Sequence, residues 1–209
     1  FMNIGVDVDD VLAELMEAYL RYHNQNFNTR TQKKDMFSYS YRAVFGGTEE
    51  ETQQKVLKFF KTDYFRNIMP VPGSLEMVRQ LARQHKLCII TARPHILRAE
   101  TQQWLRKHFA DAFHCINLTN QWHGVGKKKL KSEIGKEQKI SIMIDDSLNH
   151  ALDCAAAGIY VLLADFNYPW NQSTATLPEN IKRVHSWEKI VDEIDKYGRK
   201  QRRGIGEKV

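Results

Sequence analysis

Five short apolar runs, at residues 4–8, 87–91, 113–118, 140–144 and 159–163, are separated by stretches whose apolar residues recur at helical spacing. This alternation constrains the fold more than any other feature of the chain. Parallel strands cannot be joined by tight turns, and a helical crossover is the usual connection. Runs such as Ile140-Ser-Ile-Met-Ile144 are apolar almost throughout, as strands covered on both faces must be. The expectation is an α/β fold, a doubly wound parallel sheet with a Rossmann-like core.

The first strand breaks the regularity. It is followed by a helical pattern over 12–28, a polar and aromatic stretch over 29–47, and a second helix over 48–60. Thr48 with Glu51 three residues later is a capping box. The segment closes at Pro70-Val-Pro-Gly73, a strong breaker. From there helices over 74–85, 98–109, 130–137, 148–157 and 187–197 alternate with the remaining strands, and Gly158 is placed to end the fourth of these. The expected organisation is a core of residues 1–11 and 70–195, a small helical insertion over 12–69, and a basic, flexible tail over 196–209.

Composition narrows the function classes. Of 209 residues 42% are hydrophobic and 27% charged, an ordinary globular balance. No apolar run reaches membrane-spanning length and no leader pattern opens the chain, so the expected location is cytoplasmic. The net charge of +6 is concentrated at one end: six basic residues against Glu207 over 196–209 carry +5 of it. The rest of the chain is therefore nearly neutral, which argues against a nucleic-acid partner. Cys88, Cys115 and Cys154 are odd in number and lie in apolar or small-residue settings, so buried free thiols are expected.

Ligands of open parallel sheets gather outside the carboxyl ends of the strands. Those ends carry Asp7 and Asp9 after the first strand, Thr91-Ala92-Arg93 after the second, and Asp145-Asp146 after Ile-Met-Ile. Lys131 starts the helix that precedes this last strand. Such a set suits a phosphate ester. Carboxylates from two strands can hold Mg²⁺, which commonly shares a substrate phosphate. Lys131 offsets phosphoryl charge, while Thr91 and nearby backbone N–H groups, Ala92 among them, grip its oxygens. One aspartate attacks phosphorus and another moves protons, and Asp7 and Asp9 can divide those tasks. Asp10 is expected only to start the next turn. Lys129 is the alternative to Lys131, and Arg93 is open between a phosphate oxygen, the nucleoside and a surface acid.

Asp7-Val-Asp9-Asp-Val, Ile90-Thr91-Ala-Arg, Lys131 and Ile144-Asp145-Asp146-Ser, in this order, resemble the four motifs of haloacid dehalogenase-like phosphohydrolases. The insertion over 12–69 is similar to the C1-type cap of that superfamily. Lys131-Ser-Glu-Ile-Gly-Lys-Glu, Ile-Asp-Asp-Ser-Leu-Asn-His150 and Phe166-Asn-Tyr-Pro-Trp-Asn171 resemble its 5′-nucleotidase branch, which includes 5′(3′)-deoxyribonucleotidases. The resemblance implies Asp7 as nucleophile and metal ligand, and Asp9 as acid/base with its carbonyl on Mg²⁺. It implies Thr91, Ala92, Arg93 and Lys131 as phosphate-binding residues. Asp146 is preferred as a further metal ligand, with Asp145 beside it.

The expected activity is a Mg²⁺-dependent phosphomonoesterase acting through an aspartyl-phosphate, with a (deoxy)nucleoside monophosphate as the small phosphorylated substrate. A sugar or other small organic phosphate is the alternative substrate, and a non-catalytic phosphate-binding module the alternative class. No membrane partner is expected, and a homodimer is allowed. The insertion's Phe37, Tyr39 and Tyr41 are candidates to stack on a base, although aromatics in a small insertion more often form its own core.

Overall fold

The computed structural model describes residues 1–122, 125–171 and 176–206. Among them, six parallel strands form one sheet in the order β3-β2-β1-β4-β5-β6. They are β1 (Asn3–Val6), β2 (Lys86–Thr91), β3 (Phe113–Leu118), β4 (Ile142–Asp145), β5 (Tyr160–Ala164) and β6 (Ile181–Val184). Helices cover both faces: α5 (Ser74–Ala82), α6 (Arg98–Phe109) and α9 (Trp187–Gly206), and α7 (Lys131–Glu137) and α8 (Leu148–Ala156). Ile4, Val6, Ile89, Ile90, Ile142, Ile144, Val161, Leu162 and Leu163 are wholly buried, so the central strands face apolar layers on each side. Gly5 permits that packing: a Cβ there would sit 2.6 Å from Met143 Sδ on the neighbouring strand.

Residues 12–69 lie between β1 and α5 and hold α1 (Leu15–Phe27), α2 (Tyr41–Phe45), α3 (Glu49–Phe59) and α4 (Asp63–Arg66). The capping box at Thr48 and Glu51 forms, with hydrogen bonds of 3.2 and 2.9 Å. The segment's aromatics build its own core. Tyr19 stacks on Tyr41 at 4.3 Å and meets Phe59 edge-on at 5.3 Å.

Several expectations need correction. β1 stops at Val6, and α1 starts at Leu15 rather than near residue 12, because residues 8–13 fold into a turn. In it Leu12 and Ala13 N–H groups donate to Val8 O, and Asp10 N–H donates to Ala13 O. β6 has no counterpart in the sequence reading: its Ile-Lys-Arg-Val run is buried only at the two ends, as suits an edge strand. The stretch read as a flexible tail continues α9 to Gly206. Trp187, Ile190 and Ile194 bury its apolar face, Tyr197 stacks on Tyr160 at 4.8 Å, and the Lys, Arg and Gln residues that follow are good helix formers. Cys88 and Cys115 are not free thiols. They fall in register on β2 and β3, Cα atoms 4.8 Å apart, and close a disulfide, while Cys154 stays free and buried. Their separation of 27 residues conceals this adjacency.

His23 on α1 provides a test of the insertion's packing. It is 2% exposed, stacked on Phe45 at 4.0 Å and beside Phe27 at 4.7 Å. Thr29 Oγ1 already donates to Asn24 Oδ1, so His23 Nδ1–H must donate to Thr29, 2.9 Å away. Nε2 is then an unpartnered acceptor, and burial, with the charge of Lys55, pushes the imidazole pKa down to about 4. Below the ordinary value near 6.5 the unfolded chain gains a proton that the fold refuses, so stability falls as pH drops toward 4. Melting temperature should decline over that window in the parent protein and decline less in His23→Phe. Equal slopes would contradict this placement.

Candidate active site

The carboxyl ends of β1, β2 and β4 meet at one edge of the sheet, and the residues that follow them converge there. Asp7 follows β1 directly, its N–H still in the ladder to Ile144 O at 3.0 Å. Asp145 is the last residue of β4, and Lys131 the first of α7. Asp7, Lys131, Asp145 and Asp146 are all at most 3% exposed. Lys131 Nζ donates to Asp145 Oδ2 at 2.7 Å and lies 3.0 Å from Asp7 Oδ2. Lys129, by contrast, pairs on the surface with Glu137 at 2.7 Å.

The electrostatics of this group are unbalanced. Ligand atoms of Asp7, Asp145 and Asp146 lie within 4.8 Å of one another. Three carboxylates against one ammonium leave two negative charges in excess, the charge of one divalent cation. Buried carboxylates without partners are costly, and the cost falls on particular atoms. Asp7 Oδ1 and both carboxylate oxygens of Asp146 have no hydrogen-bond partner among the described residues. Asp145 differs: Oδ1 accepts the Ser147 N–H at 3.0 Å with His150 Nδ1 at 3.5 Å, and Oδ2 holds Lys131. Thus Asp7 and Asp146 have oxygens to offer a cation, and Asp145 is occupied in holding the lysine.

The proton affinities follow. Burial drives Asp7 up to about 6, with Lys131 opposing and Asp145 adding to it. Burial would raise Asp145 too, but Lys131 and His150 reverse the sign and hold it near about 2. Asp146 rises well above the ordinary carboxylate range through burial and then the charges of Asp10, Asp145 and Asp7. For Lys131 burial acts downward, yet Asp145 and Asp7 keep the ammonium above its usual range. Asp10, in the turn after β1 at φ 55°, accepts the Met16 N–H at 3.0 Å, and burial pushes it up to about 8.

Above this floor lies a cavity of about 180 Å³. Asp7, Asp9, Thr91, Ala92, Arg93 and His150 line it together with the aromatic residues Tyr39, Tyr41, Phe59, Phe60 and Trp122. Phe60 and Trp122 meet edge-on at 5.4 Å. Phe37 is the exception among the three expected aromatics. It is 65% exposed and lines a separate outer cleft with Arg30, Lys34 and Val44, since the 3₁₀ turn at Lys33–Asp35 and the segment after it turn it outward. Arg93 is 4% exposed and contacts the Asp9 carboxylate rather than open space.

His150 and Trp122 were missed as site residues. His150 stands within the first turn of α8, close after Asp146, and that spacing was its available signal. Trp122 follows β3, whose carboxyl end lies beside that of β2 on the same edge, and that position was its available signal. A loop after β5 binds the edge together. Tyr168 OH donates to Asp10 O at 2.8 Å, Asn171 Nδ2 to Asp146 O at 2.5 Å, and Lys33 Nζ to Phe166 O at 3.0 Å.

Comparison with known proteins shows the family and the fold. The family model for the 5′ nucleotidase, deoxy (pyrimidine), cytosolic type C protein (NT5C) matches residues 1–201. A 5′(3′)-deoxyribonucleotidase of Bacillus subtilis is 25% identical over 190 residues, covering 90% of this chain and 95% of that protein. Among solved structures, a haloacid dehalogenase-like hydrolase from Streptococcus pneumoniae superposes with TM-score 0.66 at 13% identity, covering 93% of this chain and 98% of that one. A HAD-hydrolase from Bacillus subtilis, bound to magnesium, superposes with TM-score 0.61 at 16% identity, covering 91% and 96%. These structures share the fold.

The unequal occupation of the two adjacent aspartates yields a prediction. In calorimetric titration without substrate, Asp146→Asn should weaken divalent-cation binding about 100-fold or more, and Asp145→Asn by about 10-fold, the scale of a supporting residue. The reverse ranking would contradict the assignment.

Proposed function

Since the chain belongs to the 5′ nucleotidase, deoxy (pyrimidine), cytosolic type C family, a family of phosphomonoester hydrolases, we propose that it hydrolyses (deoxy)nucleoside monophosphates through an aspartyl-phosphate on Asp7, with Mg²⁺ as cofactor. The observation that carries this reading is the buried cluster of Asp7, Asp145 and Asp146 beside Lys131, formally two negative charges in excess, with Asp7 lining an aromatic cavity. The free oxygens of Asp7 and Asp146 fit a hard divalent cation, and the Asp9 carbonyl completes the ligand set in this reading. When bound, Mg²⁺ supplies charge neutralisation for the phosphoryl group and the attacking carboxylate.

The remaining chemistry belongs to the chain. Asp7 attacks phosphorus as the ester bond breaks, and Asp9 gives its proton to the leaving nucleoside oxygen. Water then attacks the aspartyl-phosphate while Asp9 takes a proton from it, which releases phosphate, frees the Asp7 carboxylate and returns Asp9 to its protonated form. Lys131 offsets charge on the transferring group, and the Thr91 hydroxyl and the Ala92 backbone orient its oxygens. Residues 12–69 act as a cap over the core of residues 1–11 and 70–195. Tyr41, Phe60 and Trp122 favour a substrate with a planar ring over a sugar phosphate, because aromatic faces gain most from stacking.

Assayed on a panel of nucleoside monophosphates and sugar phosphates, the protein should prefer the nucleotides and lose activity to a chelator. Asp7→Asn should lower kcat about 10³-fold or more with melting temperature little changed. Hydrolysis that survives the chelator, or full activity in Asp7→Asn, would overturn the mechanism.

A further inference from the structure

We propose that Arg93 is a positioning residue that aims the Asp9 carboxylate, rather than a ligand of the substrate phosphate. The proposal rests on the reading of Asp9 as the proton-transferring acid. Three contacts define the arrangement. Arg93 Nε lies 3.1 and 3.0 Å from the two Asp9 oxygens, and Nη2 lies 2.6 Å from Oδ1, a forked ion pair. Nη1 donates to Thr101 Oγ1 at 3.0 Å, from a threonine on α6 that is wholly buried. The guanidinium carbon stands 5.1 Å from the centroid of Phe65 on α4.

Each nitrogen of the guanidinium thus has an acceptor, and its charge is matched by Asp9. A planar fork fixes both the distance and the plane of the carboxylate it holds, which a lysine ammonium does not. Asp9 keeps 18% of its side chain exposed and lines the cavity, so it is oriented yet still reachable by substrate. The arginine is anchored in turn by the core, through Thr101, and by the insertion, through Phe65. Its own N–H lies 3.4 Å from Thr91 Oγ1, so one turn after β2 presents the phosphate-binding hydroxyl and braces the acid. Arg93 keeps its protons throughout: the ion pair holds Asp9 as the carboxylate that accepts a proton from the attacking water, and the protonated Asp9 then serves the next leaving oxygen.

A double-mutant cycle with Asp9→Asn separates this role from a phosphate contact. Kinetics are measured on a nucleoside monophosphate, with inorganic phosphate as product inhibitor and excess enzyme for the slow variants. Arg93→Lys should lower kcat about 10- to 100-fold, within the range a general acid contributes. KM and phosphate inhibition should stay within about 3-fold, and in the Asp9→Asn background the same change should cost less than about 3-fold. Thr101→Val, nearly isosteric and away from the substrate, guards against a folding artefact. It should give a smaller loss, about 3- to 10-fold in kcat alone, that also vanishes with Asp9→Asn. Losses that multiply in the double variants, or a tenfold weakening of phosphate inhibition in Arg93→Lys, would overturn the proposal while leaving the phosphatase reading intact. A parent protein with no Asp7-dependent hydrolysis would remove both.

Discussion

The ion triad of Lys131 with Asp7 and Asp145 is the constraint on which the site depends. An ammonium and two carboxylates, none more than 4% exposed at the side chain, are stable together only if three separate elements end at one point. The carboxyl ends of β1 and β4 and the first residue of α7 do so. That coincidence needs the parallel sheet, because only parallel strands bring successive carboxyl ends to the same edge. It also needs the tight β1–β4 approach that Gly5 allows against Met143. Breaking a buried pair on one side costs several kcal/mol, roughly 3–5, since it strands a charge away from water. The triad therefore makes the core's geometry and the site's chemistry a single problem.

The triad satisfies Asp145 and leaves its neighbours unsatisfied. Lys131 and the Ser147 N–H occupy the Asp145 oxygens, while both carboxylate oxygens of Asp146 and one of Asp7 have no hydrogen-bond partner among the described residues. A folded protein keeps such atoms where a ligand completes them. The surrounding loops keep these atoms in place: Asn171 holds the carbonyl of Asp146, and Tyr168 that of Asp10. Lys33 of the insertion reaches the same loop at Phe166 O and lies 4.2 Å from the Tyr168 ring centroid. Phe65, over Arg93, makes a second contact between insertion and site. The insertion thus contacts both the loop after β5 and Arg93 beside Asp9.

Much of the candidate site was legible in the sequence because most of its residues end or directly follow an apolar strand or begin a helix. Asp7, Thr91, Lys131, Asp145 and Asp146 stand at such boundaries, where pattern and position coincide. What escaped was decided by tertiary contact. Arg93 follows Thr91 in sequence, but its partners, Asp9, Thr101 and Phe65, lie on three other segments. β6 carries Lys182 and Arg183 between its buried ends, so no apolar run announces it. The register that joins Cys88 to Cys115 is a property of the β2–β3 pair and of neither strand alone. Phe37 and Tyr39 look alike as cap aromatics, yet one faces an outer cleft and the other the cavity.

In the proposed reading one divalent cation is seated by Asp7 and Asp146, with Lys131 retained on Asp145. Anomalous scattering from crystals grown with Mn²⁺ reads that seat out. A single strong peak is expected at ligand distance from Asp7 Oδ1 and an Asp146 oxygen, with the Lys131–Asp145 pair undisturbed. A peak centred on Asp145 with Lys131 displaced, or no peak at this sheet edge, would contradict it.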